Sequence, residues 1–129
     1  MTDAELAASL ASRAGDLLQG LDRAELGLKI GAEGDRLANA LLVEALRRER
    51  PEDGLLSEEE KDSAARLSRA RVWIVDPLDG TREYGEDRSD WAVHVGLAVN
   101  GVATVGAVAL PGQGVTLSSG TPQPLPPLQ

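Results

Sequence analysis

Two carboxylates flank a single bend in the middle of the chain. Residues 71–84 read Arg-Val-Trp-Ile-Val-Asp-Pro-Leu-Asp-Gly-Thr-Arg-Glu-Tyr. The apolar run at 72–75 is short, largely β-branched and bounded by polar positions, which predicts a buried strand that ends at Asp76. Pro77 cannot continue a β-ladder, so the chain is expected to turn there and to bring Asp79 beside Asp76.

The turn after Asp79 has the composition of an anion-binding site. Gly80 suits a tight turn, and Thr81 is expected to cap a short helix whose first amides point back into the bend. Helix amides of this kind bind anions without any side-chain charge. Carboxylates next to them suggest a metal ion that bridges to a phosphate. Asp-Pro and Asp-Gly pairs are also common in ordinary surface turns, which leaves a structural interpretation of the motif open.

A third carboxylate is expected at the same edge of the sheet. The apolar run at 54–57 predicts a short strand, and Glu58 follows it directly, as Asp76 follows the other strand. If these strands are neighbours, Glu58, Asp76 and Asp79 converge and repel one another unless a cation lies between them. The acidic run also has capping-box spacing up to Glu60, so it is open to interpretation as the start of a helix.

Helices are predicted on the N-terminal side of these strands. Residues 2–20 begin with capping-box spacing and continue as an amphipathic helix that ends at a glycine. Residues 21–33 alternate apolar and polar positions between glycines, which predicts a short strand or hairpin. A second helix is expected from Asp35 to just before Pro51. Asp35 therefore has an interpretation as a helix N-cap.

A hairpin and a proline-rich tail are predicted after the bend. Residues 91–110 form two apolar runs around an Asn-Gly pair, which is a strong hairpin signal. The one histidine, His94, lies in this hairpin and is interpreted as a packed sheet residue rather than a metal ligand. Residues 112–129 are rich in proline and have little periodicity, so they are expected to form an extended tail or interdomain linker. This leaves residues 1–111 as the domain.

Composition limits the chemistry that this domain can perform. The chain has 129 residues, a net charge of −8 and no cysteine. The negative charge argues against binding to a nucleic-acid polymer or to an anionic membrane. The lack of cysteine excludes thiolate zinc sites and a thiol nucleophile, so oxygen ligands and ions such as Mg²⁺ remain. No apolar stretch approaches 18 residues, and a cytoplasmic protein is expected.

Two motifs together resemble the inositol monophosphatase-like superfamily of Mg²⁺-dependent phosphatases. They are Leu-Ser-Glu-Glu at 56–59 and Trp-Ile-Val-Asp-Pro-Leu-Asp-Gly-Thr at 73–81. The resemblance extends almost to Pro111 and implies an α+β fold, an antiparallel sheet packed with helices that forms the N-terminal half of an αβαβα sandwich. Thr-Arg-Glu-Tyr at 81–84 is similar to the 3′(2′),5′-bisphosphate nucleotidase (CysQ-type) branch, which acts in sulfur metabolism.

The resemblance also implies roles for individual residues. Two or more Mg²⁺ ions would be held by three carboxylates and one backbone carbonyl, those of Glu58, Asp76, Asp79 and Leu78. Asp79, Gly80 and Thr81 match the phosphate-binding turn. The Thr81 hydroxyl and Glu58 match the groups that help to activate the attacking water. Asp35 matches a further acidic residue near the site and is included in the expected catalytic set.

The activity implied by the resemblance is Mg²⁺-dependent hydrolysis of a phosphomonoester. The expected substrate is a small phosphorylated molecule, 3′-phosphoadenosine 5′-phosphate, with inositol monophosphate or a sugar bisphosphate as alternatives. Members of the superfamily carry a second α/β domain that completes the metal site, and this sequence ends before it. The chain is therefore expected to be an N-terminal half with weak activity, and its uncovered apolar surface favours a homodimer. The alternative that is not an enzyme is a non-catalytic metal-binding or interaction module.

Overall fold

Five strands form one sheet in a computed structural model that describes residues 1–57 and 68–119. The strands are adjacent in chain order, and they are β1 (Gly54–Ser57), β2 (Arg71–Asp79), β3 (Ala92–Val99), β4 (Val102–Leu110) and β5 (Val115–Ser118). The pair β1–β2 is parallel and the other three pairs are antiparallel. The α+β class is confirmed, with a mixed sheet in place of the expected antiparallel one.

Among the described residues, the α-helices precede the sheet, except for one short helix that follows β2. They are α1 (Asp3–Gln19), α2 (Arg23–Leu26), α3 (Ile30–Glu49) and α4 (Thr81–Gly85), with 3₁₀ turns at Gly27–Lys29 and Pro111–Gln113. The capping box that opens α1 is confirmed, because Thr2 and Glu5 exchange backbone-to-side-chain hydrogen bonds of 3.1 and 3.2 Å. In the described residues, no helix has both the length and the hydropathy that crossing a membrane requires.

The core lies between the sheet and the two long helices. Helix α1 packs on β3 and β4, and α3 packs on β2. Alternate residues of the central strands point into this layer and are almost fully buried, namely Trp73, Val75, Val93, Val95 and Leu97, and they meet Leu10, Leu18, Leu42 and Leu46 from the helices. Burial of one such Leu or Val side chain contributes roughly 1.5–3 kcal/mol. This layer fixes β2, which carries the predicted site.

The segment between α1 and α3 is helical, so the strand or hairpin predicted for residues 21–33 is wrong. Leu28 is fully exposed and α2 has no buried residue, which means that the alternation did not reflect a buried face. Helix α3 already begins at Ile30, and Asp35 lies inside it rather than at its N-cap. Two of the glycines that bounded the predicted strand or hairpin, Gly31 and Gly34, lie within the helix where it touches other elements closely.

Strand β2 is longer than the sequence predicted. It continues through Asp76 and Pro77 to Asp79 instead of stopping at the first carboxylate. Its pairing with β3 shifts in register between Asp76 and Asp79. Proline lacks a backbone N–H and is tolerated in strands at such irregularities, so the ladder can resume beyond it. The two carboxylates therefore lie on one strand, on either side of a bulge.

The end of the described chain adds a strand that was not predicted. The hairpin of β3 and β4 around Asn100 and Gly101 is confirmed, and both turn residues have positive φ. Beyond Pro111, however, Val115–Ser118 pairs with β4 as β5. The sheet thus extends into the region that was interpreted as a tail. The division of the chain into a domain and a tail stays a prediction.

An ion-pair cluster joins three elements at the end of the sheet opposite the bend. Arg71 donates to Asp3 at 2.9 Å and to the buried Asp53 at 3.1 Å, and Arg50 donates to Asp3 at 3.0 Å. Asp53 also accepts a hydrogen bond of 2.8 Å from the indole of Trp73. The hydrogen bond from Arg71 lowers the pKa of Asp3, against the opposing effect of burial. This cluster fixes the starts of α1 and β2.

Candidate functional site

The bulge in β2 displays two carboxylates and a backbone carbonyl within four residues. Asp76 is half-buried and faces His94 across the ladder, and Asp79 pairs with Ala92. The Asp79 side chain is 62% exposed, so it can bind a ligand from solvent. The carbonyl oxygen of Leu78, between them, accepts a hydrogen bond of 3.3 Å from the hydroxyl of Thr81. Three of the predicted ligand positions are therefore contiguous.

The turn after these carboxylates requires glycine. Gly80 has a φ of 91°, and a Cβ atom there would lie 3.2 Å from the carbonyl oxygen of Asp90 and 3.3 Å from Cα of Trp91. Both the backbone conformation and the close approach of neighbouring backbone disfavour any side chain. The prediction that Thr81 caps the helix is wrong, since Gly80 occupies the N-cap and Thr81 is the first residue of α4.

Helix α3 approaches this turn through its two glycines. A Cβ atom on Gly31 would lie 3.0 Å from Cγ2 of Thr81, and one on Gly34 would lie 3.0 Å from the ring of Tyr84. Glycine in a helix interior lowers helix stability by about 1 kcal/mol relative to alanine. At these two positions, it permits close packing that a side chain would prevent. Asp35 lies one helical turn beyond Gly31, near the end of α3 that faces the turn.

An open cleft of about 470 Å³ lies beside Gly80. Its lining combines three carboxylates, an amide and apolar surface from Asp79, Gly80, Glu83, Asp90, Trp91, Ala92, Leu110 and Gln113. Carboxylates accept hydrogen bonds from hydroxyl groups and repel anions. The lining therefore suits a metal ion or the hydroxyl-bearing part of a substrate better than a second phosphate. Neither Glu83 nor Asp90 was expected at the site from the sequence.

His94 is a site neighbour that the sequence analysis missed. Its Nε2 atom lies 3.2 Å from a carboxylate oxygen of Asp79, and its side chain is 42% exposed. His94 is therefore a sheet residue, as expected, but its half-exposed side chain contacts Asp79 instead of packing in the core. The signal was its position in β3, because Val93 and Val95 on either side face the core and an intervening residue must face the opposite side.

The donor set fits a hard divalent cation. Asp76, Asp79 and the Leu78 carbonyl provide only oxygen atoms, as Mg²⁺ prefers. Within residues 1–57 and 68–119, no three Asp, Glu or His side chains form a cluster that could hold a metal ion, so a metal bound at the bulge would need further ligands. The predicted ligand Glu58 lies outside the described residues. Asp35 does not join a three-member cluster in the described part of the chain.

Comparison with known protein families shows to which family the chain belongs. Residues 5–122 match the inositol monophosphatase family. The chain belongs to the inositol monophosphatase family. Proteins of this family are generally metal-dependent, which agrees with the oxygen donors at the bulge.

Individual relatives agree with this assignment. The chain is 52% identical over 128 residues to the 3′-phosphoadenosine 5′-phosphate phosphatase of Mycobacterium leprae, covering 88% of this chain and 47% of that protein. It is 52% identical over 102 residues to the protein of the same name from Mycobacterium bovis, covering 71% of this chain and 38% of that one. The solved inositol monophosphatase of an Anabaena (Nostoc) species superposes with a TM-score of 0.77 at 30% identity, over 89% of this chain and 42% of the other. The chain thus spans less than half the length of each relative.

Proposed function

We propose that this chain supplies the metal-binding and phosphate-binding half of a Mg²⁺-dependent phosphomonoesterase that acts on 3′-phosphoadenosine 5′-phosphate. The observation that carries the proposal is the contiguous set of Asp76, the Leu78 carbonyl, Asp79 and Gly80 at the bulge of β2. Family membership supports the reaction class. The name of the 52% identical mycobacterial relative supports the substrate.

Under this proposal, the carboxylates of Asp76 and Asp79 and the carbonyl of Leu78 hold Mg²⁺, together with Glu58. Bound divalent ions lower the pKa of a coordinated water and neutralise charge on the leaving oxygen. The Asp79 carboxylate is exposed and lines the cleft, so it would hold an ion beside the space open to a substrate. The protein needs no nucleophilic side chain for this chemistry, which agrees with a chain that lacks cysteine.

The turn at Gly80 positions the phosphate in this proposal. Its lack of a side chain lets the backbone of Asp90 and Trp91 pack to within 3.2–3.3 Å of the place a Cβ would take, which fixes the turn that would present the Gly80 and Thr81 amides to a phosphate oxygen. The Thr81 hydroxyl of this turn donates to the Leu78 carbonyl at 3.3 Å, so it lies next to a proposed metal ligand. We assign to Thr81 and Glu58 the orientation of the attacking water, and to Asp35 a supporting acidic role.

A second candidate substrate class is an alcohol phosphate rich in hydroxyl groups, such as inositol monophosphate. The observation in its favour is the cleft, where Glu83 and Asp90 accompany Asp79. Three carboxylates can accept several hydroxyl hydrogen bonds, whereas they repel the second phosphate of a bisphosphate nucleotide. A bisphosphate therefore requires cations that bind its second phosphate elsewhere in the protein.

The experiment compares phosphate release from 3′-phosphoadenosine 5′-phosphate, inositol 1-phosphate and a sugar bisphosphate in Mg²⁺ and in EDTA. It uses the 129-residue chain and a longer protein in which the remaining half of the Mycobacterium leprae relative is appended. Asp76→Asn is expected to abolish Mg²⁺-dependent release, and the exposed Asp87→Asn serves as the matched control. If the longer protein releases no phosphate from any of the three substrates, or if Asp76→Asn is fully active, the proposal is wrong.

A further inference from the structure

The five-residue helix α4 depends on other elements for its position. Isolated helices need about 12–15 residues to be even marginally stable in water, so α4 is held by tertiary contacts. Its single buried residue is Tyr84, whose hydroxyl donates a hydrogen bond to the carbonyl of Leu18. The Tyr84 ring meets Trp91 edge-on, with centroids 4.8 Å apart, and its edge lies against Gly34.

Arg23 closes the remaining side of this arrangement. Its guanidinium carbon lies 4.7 Å from the centroid of the Tyr84 ring, and its Nη1 atom donates to the backbone carbonyl of Tyr84 at 2.8 Å. The Tyr84 carbonyl also accepts a hydrogen bond of 3.1 Å from the amide of Asp87, so Arg23 supplies a second donor at the end of α4, where a cation interacts favourably with the helix dipole. Arg23 also covers the only buried side chain of this helix. Its Nε atom pairs with the exposed Asp87 at 3.1 Å.

The contact made by Arg23 is transmitted to the phosphate turn by one hydrogen bond. The amide of Tyr84 donates to the carbonyl of Gly80 at 2.9 Å, so the residue that Arg23 holds is bonded directly to the turn. Trp91, on which the Tyr84 ring rests, also limits the space around Gly80. A shift of Tyr84 therefore displaces both the backbone of Gly80 and one wall of its cleft.

We propose that Arg23 is a positioning residue, which fixes the Gly80–Thr81 turn through Tyr84 without touching the substrate. The inference rests on the proposed function, because it takes that turn to bind phosphate. Arg23 lies in the segment between α1 and α3, far in sequence from the turn that it positions. A purely structural role for Arg23 would lower stability and leave the turn and its ligand affinity unchanged.

The test uses three variants of the whole chain. Arg23→Met keeps the aliphatic stem and removes the charge and donors, Arg23→Lys keeps the charge and one donor group, and Asp87→Asn removes only the exposed ion pair. Each is titrated with inorganic phosphate in saturating Mg²⁺, at a temperature well below its Tm. The backbone amide signals of Gly80 and Thr81 are recorded by ¹⁵N NMR in the absence of ligand.

We expect Arg23→Met to weaken phosphate binding about tenfold, equivalent to about 1.4 kcal/mol, and to shift both amide signals. Arg23→Lys should recover part of the affinity, and Asp87→Asn should change it less than about twofold, as is usual for an exposed pair. Unchanged amide signals in Arg23→Met overturn the inference, as does unchanged affinity, whatever happens to its Tm. If the unaltered chain binds no phosphate, the assignment of the Gly80–Thr81 turn as a phosphate site in this chain fails, and the amide signals still decide whether Arg23 positions the turn.

Discussion

Replacement of Gly80 by alanine is expected to destabilise the protein for two separable reasons. The first is its φ of 91°, because a left-handed conformation costs a non-glycine residue roughly 1–2 kcal/mol. The second is crowding, since the new Cβ would lie 3.2–3.3 Å from backbone atoms of Asp90 and Trp91, and an overpacked methyl group costs roughly 1–3 kcal/mol. Together they predict a loss of about 2–5 kcal/mol in the free energy of unfolding.

Two other glycines isolate these contributions. Gly101 has a φ of 79° but nothing within 4 Å of its would-be Cβ, so Gly101→Ala should lose only the conformational part, about 1–2 kcal/mol. Gly85 has neither a positive φ nor a close neighbour, so Gly85→Ala should be neutral or slightly stabilising, by up to about 1 kcal/mol. Urea denaturation measures all three differences, because m-values should stay constant. A loss in Gly80→Ala no larger than that in Gly101→Ala would refute the crowding argument.

Three further outcomes are expected. Asp76→Asn and Glu58→Gln should each reduce the rise in Tm that Mg²⁺ causes relative to EDTA, because clustered carboxylates repel without a cation; equal rises in all proteins would contradict the metal assignment. The pKa of Asp3 is lowered by its hydrogen bond from Arg71, so its contribution to stability is present above the unfolded pKa of about 3.9 and is lost as pH falls further. The stability difference between the unaltered protein and Asp3→Asn, from urea denaturation at several pH values, should therefore shrink below about pH 4, and a constant difference would refute the pairing. The 129-residue chain alone should release phosphate from 3′-phosphoadenosine 5′-phosphate well below about 1 s⁻¹, since its described residues hold only part of a ligand set; faster release in a phosphate assay would show that this set suffices.

Elements whose conformation is determined by residues close together in the sequence were predictable. The Asn100-Gly101 pair sets the twist of its hairpin locally, and both strands followed as expected. The capping box of α1 is likewise a local arrangement. The tight turn at Gly80 was likewise predictable, because its backbone conformation favours glycine, while the roles of Asp76 and Asp79 as metal ligands stay a prediction.

Elements decided by distant contacts were not predictable. Gly31 and Gly34 indicated breaks around a short strand or hairpin, but they belong to α3, where Thr81 and Tyr84 occupy the space that side chains would fill. Pro77 indicated a strand end, but the bulge accommodates its missing N–H. In each case, the deciding neighbour lies elsewhere in the chain, and a window of sequence does not contain it.

Helix α1 is synthesised well before the strands on which it packs. Its apolar face is covered by β3 and β4, and β4 ends about 90 residues after α1 does. At ribosomal rates of about 5–20 residues per second, this interval lasts roughly 5–20 s. During that time the nascent helix lacks its sheet partners, and a surface of leucine and alanine stays open to chaperones and to other nascent chains. Stalling or premature termination before β4 would leave the apolar face of α1 exposed and prone to aggregation. The yield of folded protein should therefore depend on how quickly translation passes the β3–β4 hairpin.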